Sequence, residues 1–166
     1  RNNYNLVKVN QGMASLKGLF GAESIAVIGA SKTPGKVGHS VVKNMVESGY
    51  RGRLIPINPK ESEILGLKAY PSVTAAAAGG KIEAVVVTIP AKAVVPVMEE
   101  CGQVGVRYAV VITAGFRELG AEGKAREQEL LEVARRYGIR IVGPNCLGVI
   151  DTHTPMNASF APLLPA

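Results

Sequence analysis

Gly29, Gly35 and Gly38 recur as Gly29-x5-Gly35-x2-Gly38, a spacing that lets a chain fold around an anion. A tight turn needs glycine's access to positive φ, and a phosphate can approach bare backbone where a Cβ would stop it. Ala30, Ser31, Pro34 and Val37 keep the intervening path small, while Lys32 and Lys36 bring positive charge to it. Asn58-Pro59-Lys60 places another cation after a turn proline. Ile89-Pro90, Thr113-Ala114 and Asn145-Cys146 each come after a short apolar run, where loops that bind ligands are found. Cys146 invites a nucleophile reading, but a reactive thiol needs a base or a depressed pKa, and no histidine stands at a useful spacing. It reads better as a residue that packs or lines a site. His39 reads as a loop or capping histidine and not as a general base.

The elements that must position these residues are legible around them. Ser24 to Ile28 is an apolar, β-branched strand, and Val41, Val42, Met45 and Val46 then recur at helical spacing until Gly49. A strand–loop–helix of this kind offers unpaired N–H groups and the positive end of a helix dipole to an anion. The loop is longer than the dinucleotide fingerprint Gly-x-Gly-x-x-Gly, so a nucleotide is indicated and NAD is not. The competing reading is a glycine-rich turn that binds nothing.

Further strands are expected at Arg53–Ile57, Ala84–Thr88, Tyr108–Ile112 and Arg140–Val142, with a short extra strand and turn between Ile64 and Val73. Between them run a helical turn at Thr74–Ala78 and a helix with Ala93, Val94, Val97, Met98 and Cys101 on its inner stripe. Gly120–Tyr137 is the longest helix, with Leu130, Leu131 and Ala134 inward and Glu122, Lys124, Arg126 and Glu127 on a solvated face. A short amphipathic helix, Ala14–Phe20, precedes the first strand, and its Leu16, Leu19 and Phe20 share a side. Strand and helix alternate throughout, which predicts an α/β fold: a Rossmann-like, doubly wound, mainly parallel five-stranded sheet with helices on both faces. Its ligand belongs at the carboxyl ends of the strands.

The residues after the second strand narrow the ligand. A sheet of this type that holds NAD places Asp or Glu there to accept from the ribose hydroxyls. This chain offers Asn58 and Lys60, which suit a phosphorylated ribose, as in NADP or the 3′-phosphate of coenzyme A. A solvated lysine after a turn is the plainer alternative.

Composition sets the outer bounds. At 166 residues the chain fits one domain, and with 47% hydrophobic residues and no Trp its core is built from Val, Ile, Leu and Ala. A net charge of +6 points to an anionic partner, but the basic residues are scattered without interleaved aromatics, which disfavours nucleic acid. Two cysteines are too few for a disulfide framework, and a reducing, cytoplasmic setting is the expectation. No apolar run reaches the roughly 18 residues of a membrane helix, and no secretory signal is visible. Residues 1–13 read as a non-native or disordered start, with Met13 the natural first residue; residues 14–151 read as the domain, and the Pro-rich 152–166 as an exit linker.

Taken together, the loops resemble one family, the NDP-forming acyl-CoA synthetases, which include the α subunit of succinyl-CoA synthetase. The matching stretches are Val27-Ile28-Gly29-Ala30-Ser31 with Pro34-Gly35-Lys36-Val37-Gly38, then Asn58-Pro59-Lys60, Thr88-Ile89-Pro90, Ile112-Thr113-Ala114-Gly115-Phe116 and Gly143-Pro144-Asn145-Cys146-Leu147-Gly148. The resemblance implies a module that binds coenzyme A. Gly29 to Lys32 and the glycines after them would face its phosphates, and Lys60 its adenosine end. Ile89-Pro90 and Thr113-Ala114 would line the pantetheine path, with Asn145 and Cys146 near the thiol. It also implies partner domains or subunits, one carrying a phosphohistidine and one of the ATP-grasp type. The succinyl-CoA branch has Glu where this chain has Ala114, and neither His39 nor His153 matches the family's phosphohistidine motif. A stand-alone coenzyme A-binding or sensing module, and an NADP-dependent oxidoreductase fragment, are the alternatives.

Overall fold

β-branched runs too apolar for an exposed face can form strands only where both sides of a sheet are covered. The computed structural model describes residues 15–162 and has that arrangement. In chain order the elements are α1 (Lys17–Phe20), β1 (Ser24–Ile28), α2 (Val37–Glu47), β2 (Arg53–Ile57), β3 (Glu63–Ile64), β4 (Leu67–Lys68), α3 (Val73–Ala77) and β5 (Ala84–Val87). There follow α4 (Ala91–Gln103), β6 (Tyr108–Val111), a 3₁₀ turn (Arg117–Leu119), α5 (Ala121–Tyr137), β7 (Arg140–Val142), β8 (Gly148–Asp151) and β9 (Met156–Ser159).

Five of the strands make one parallel sheet in the order β2-β1-β5-β6-β7. The step from β1 to β2 runs one way and every later step runs the other. Right-handed crossovers therefore send α2 to one face and α3, α4 and α5 to the opposite face. Alternate residues of β1 enter two separate cores. Ala26 and Ile28 pack with Val94, Met98 and Leu130, whereas Ile25 and Val27 pack with Val41, Val42 and Met45. Cys101 is a buried member of the first core, and burial pushes its thiol up to about 12, so it is an inert packing residue as expected.

The second face corrects the expected domain boundary. Only one crossover helix spans it, and the segment from Thr152 onward, expected as an exit linker, supplies the missing cover. β8 and β9 form an antiparallel hairpin, and Met156 and Ala158 of β9 are each 1% exposed within that core. The alternating Asn157 and Ser159 are buried too, which polar groups accept only when paired. Here α2 pairs them. Asn44 donates from Nδ2 to the carbonyls of Ser159 (2.9 Å) and Ala161 (2.8 Å), and Ser48 Oγ accepts from the Asn157 N–H (3.2 Å). Ser159 Oγ donates to Asn157 Oδ1 at 2.6 Å. Side chains of a helix thus stand where a neighbouring strand would be.

Two smaller expectations change. Glu127, placed on the solvated face of α5, is 7% exposed, because Arg117 folds back and donates to its carboxylate from Nε at 2.8 Å. That guanidinium holds the Glu127 carboxyl below the usual carboxylate range. Leu19 of α1 is buried, while Leu16, just before that helix, stays 38% exposed. Ala14 and the residues before it, like residues 163–166, lie outside the described residues.

Candidate functional site

The loop that leaves β1 turns at Gly29, whose φ is +89°, and at Gly35, whose φ is +85°. It enters α2 without any side-chain cap, so the head of that helix offers its N–H groups to a ligand. Gly38 has a different duty. A Cβ there would run into the Gly29 carbonyl, so only glycine lets α2 lie this close to the end of β1.

Three side chains fix the loop on its protein side. Asn58 Nδ2 donates to the Ala30 carbonyl (2.8 Å), His39 Nδ1 to the Ser31 carbonyl (3.1 Å), and Lys32 Nζ meets Glu61 at 2.9 Å. Asn58 Oδ1 also accepts from the Lys60 N–H at 2.8 Å, which uses both ends of its amide internally. Asn58 thus braces the loops after β1 and β2 through one Nδ2 hydrogen and its Oδ1. His39 is a buried tether in the first turn of α2, in keeping with the capping reading. Lys36 and Lys60 are exposed and make no ion pair among the described residues.

Beyond this loop a cleft of about 560 Å³ opens at the carboxyl ends of β5, β6 and β7. It is lined from α2 by Val37, from the loop after β5 by Ile89 and Pro90, from that after β6 by Thr113 and Ala114, and from that after β7 by Asn145 and Cys146. The expected positions of the last three strand loops thus converge in one cavity. Gly29 to Lys36 and Asn58 to Lys60 are not among its lining residues and lie on the same sheet edge, at the ends of β1 and β2. Thr88, Ile112, Leu147 and Phe160 also line the cleft, beyond the expected set. The first three adjoin expected residues in the chain; Phe160 sits in the segment read as linker and carried no local signal. A larger cavity, about 800 Å³, lies at the amino ends of β1 and β2 around Glu23 and Arg53, the edge at which sheets of this kind do not bind ligands.

Hydrogen bonds prolong the sheet into the cleft walls. Thr88 Oγ1 donates to the Ile28 carbonyl (2.9 Å), Thr113 Oγ1 to the Ile89 carbonyl (2.7 Å), and the Asn145 N–H to the Thr113 carbonyl (3.0 Å). Asn145 itself sits at φ +56°, a conformation asparagine tolerates better than most residues. Ala114 is held from its C-terminal side: the Glu118 carboxylate accepts from the Gly115 and Phe116 N–H groups, which lowers its pKa.

Cys146 is half-buried, and burial raises its pKa, so the thiol stays protonated and donates weakly to the Val111 carbonyl at 3.4 Å. This is the environment of a lining residue and not of a nucleophile. Cys146→Ser is expected to leave ligand affinity within about twofold, since a hydroxyl can make the same bond. Calorimetry on the two proteins checks this, and a complete loss of binding would refute it.

Comparison with known proteins adds independent findings. A family model described as a CoA binding domain matches residues 23–152. The chain is 49% identical over 152 residues to the α subunit of acetate–CoA ligase [ADP-forming] I from Pyrococcus furiosus, covering 89% of this chain and 32% of that one. It is 47% identical over 150 residues to acetate–CoA ligase [ADP-forming] from Methanocaldococcus jannaschii, covering 90% and 20%. Among solved structures, the dinucleotide forming acetyl-coenzyme A synthetase 1 of Ca. Korarchaeum cryptofilum, in complex with phosphate and ADP, superposes with a TM-score of 0.84 at 40% identity, covering 89% of this chain and 31% of that one. The chain thus spans between a fifth and a third of the length of these relatives.

Proposed function

The chain belongs to the CoA-binding domain family, and from that premise we propose that it holds coenzyme A for an NDP-forming acyl-CoA synthetase, with the cofactor laid along the carboxyl edge of the sheet. The 3′-phosphate meets Lys60. The diphosphate rests on Gly29 to Gly38 at the head of α2, the pantetheine arm runs along Ile89-Pro90 and Thr113-Ala114, and the thiol ends near Asn145 and Cys146. The observation that carries this reading is the double position of Val37, which is the first residue of α2 and also lines the cleft. An anion at the helix head is therefore next to the mouth of a mostly apolar channel, which is the order of parts in coenzyme A.

The overall reaction in this reading is acid, coenzyme A and NTP exchanging with acyl-CoA, NDP and phosphate. This chain's residues bind and orient the cofactor. A phosphohistidine domain and an ATP-grasp domain, whether on the same chain or on partner subunits, carry the phosphoryl steps. The lengths of the relatives support such partners.

Calorimetric titration tests the assignment. Coenzyme A is expected to bind more tightly than NAD or NADP. Lys60→Ala should remove a charge-assisted contact worth about 1.5–3 kcal/mol, roughly ten- to a hundredfold in affinity. Dephospho-coenzyme A, which lacks the 3′-phosphate, should lose far less. Equal losses for both ligands would mean that Lys60 does not read that phosphate, and tighter NAD binding would overturn the reading. The 166-residue chain alone should form no acyl-CoA from acid, NTP and coenzyme A.

A further inference from the structure

We propose that His39 and Asn58 are positioning residues that preset an anion seat made of the backbone N–H groups of Ser31 and Lys32; this rests on the reading of their loop as the diphosphate site. In a trans peptide the carbonyl of one residue and the N–H of the next point in opposite directions. The one cis bond among the described residues is Gly143–Pro144, so the loop after β1 obeys that rule. Asn58 draws the Ala30 carbonyl toward the loop after β2, which turns the Ser31 N–H away from that loop. His39 draws the Ser31 carbonyl toward α2, which turns the Lys32 N–H away from that helix. Since a carbonyl can only accept, Nδ1 of His39 carries the proton. Neither N–H is engaged by another group among the described residues, whereas the next one along, that of Thr33, is taken by Ser31 Oγ at 3.1 Å.

Two adjacent backbone N–H groups left unengaged are donors that an anion can use. Because the tethers hold them before the ligand arrives, binding need not order the loop. The two tethers come from different elements, α2 and the loop after β2, so each can be removed without the other.

The test monitors the Ser31 and Lys32 amide resonances of the ¹⁵N-labelled chain during titration with coenzyme A. In the unmodified chain both are expected to move downfield. His39→Leu should weaken binding about tenfold, the scale of one hydrogen bond, and should flatten the Lys32 shift. His39→Asn, whose amide can donate from a similar place, should recover most of both. If neither amide moves at saturation in the unmodified chain, the diphosphate does not sit on this loop and the proposal falls with that reading. If both move, yet His39→Leu binds as tightly with unchanged shifts, the diphosphate site stands and His39 does not position it. Should His39→Leu fail to give a cooperative thermal melt, Asn58→Ala decides the matter: weaker binding with a diminished Ser31 shift supports the proposal, and unchanged binding overturns it.

Discussion

Gly38→Ala is expected to cost about 3 kcal/mol of stability and to abolish measurable binding of coenzyme A. The added methyl would meet the carbonyl of Gly29 and lie 3.1 Å from the Ala30 Cα, and both obstacles are backbone. Overpacking a core against side chains typically costs about 1–3 kcal/mol because rotamers give way. A carbonyl at the end of a central strand has no rotamer, so α2 must lift off β1, and the helix head moves away from the phosphates with it. Gly35→Val is the contrasting case in the same loop. Nothing lies within 4 Å of a Cβ there, so the fold bears only the strain of a φ of +85°, about 1–2 kcal/mol. The branched side chain would nonetheless fill the space open to ligand, so affinity should fall further than stability. Thermal melts and calorimetry on the two variants separate these effects. A Gly38→Ala protein that melts within a few degrees of the unmodified chain would show that α2 does not need this approach.

The second large effect concerns the end of the chain. Removing residues 152–166 is expected to leave no cooperatively folded protein. Deleting one large buried side chain costs about 2–5 kcal/mol, and a whole domain is stable by only about 5–15 kcal/mol. The truncation removes Met156 and Ala158 from the second core and strips Asn44 of both carbonyl partners. It also removes Phe160 from the wall of the cleft. Met156→Ala, a gentler change, should by itself lower stability by about 2–5 kcal/mol without touching the site. Denaturant unfolding monitored by circular dichroism measures both. A truncated protein with an unchanged midpoint would return this segment to the status of a linker.

The sheet was legible because its strands are apolar runs rich in β-branched residues, such as Ile25 to Ile28 and Ala84 to Val87, and such runs have few other uses. The site loops were legible because they leave those strands directly, which brought Val37, Ile89, Thr113 and Cys146 to one cleft. What escaped depends on partners distant in the chain. Asn157 and Ser159 look like loop residues until Asn44 and Ser48 are seen to pair with their strand. Glu127 looks solvated until Arg117, on the preceding turn, closes over it. Asn58 has the chemistry of a ligand contact, and only the position of the Ala30 carbonyl shows that it also braces the loop after β1. Local pattern reports which residues are apolar; it does not report which polar residues have found each other.

The bond from Asn44 to β9 spans 115 residues, and that separation has a consequence for how the molecule comes into being. Contacts between distant segments form slowly, because a long loop must close before they yield anything. During synthesis β1, α2 and β2 emerge early, and the sheet can grow strand by strand toward β7. Val41, Val42 and Met45 can cover part of the second face, but the part reserved for Met156 and Ala158 stays bare until β9 leaves the ribosome. Until then the nascent chain shows an apolar surface of the sort that recruits chaperones or aggregates. A strand made well after β7 is the one that completes the second face.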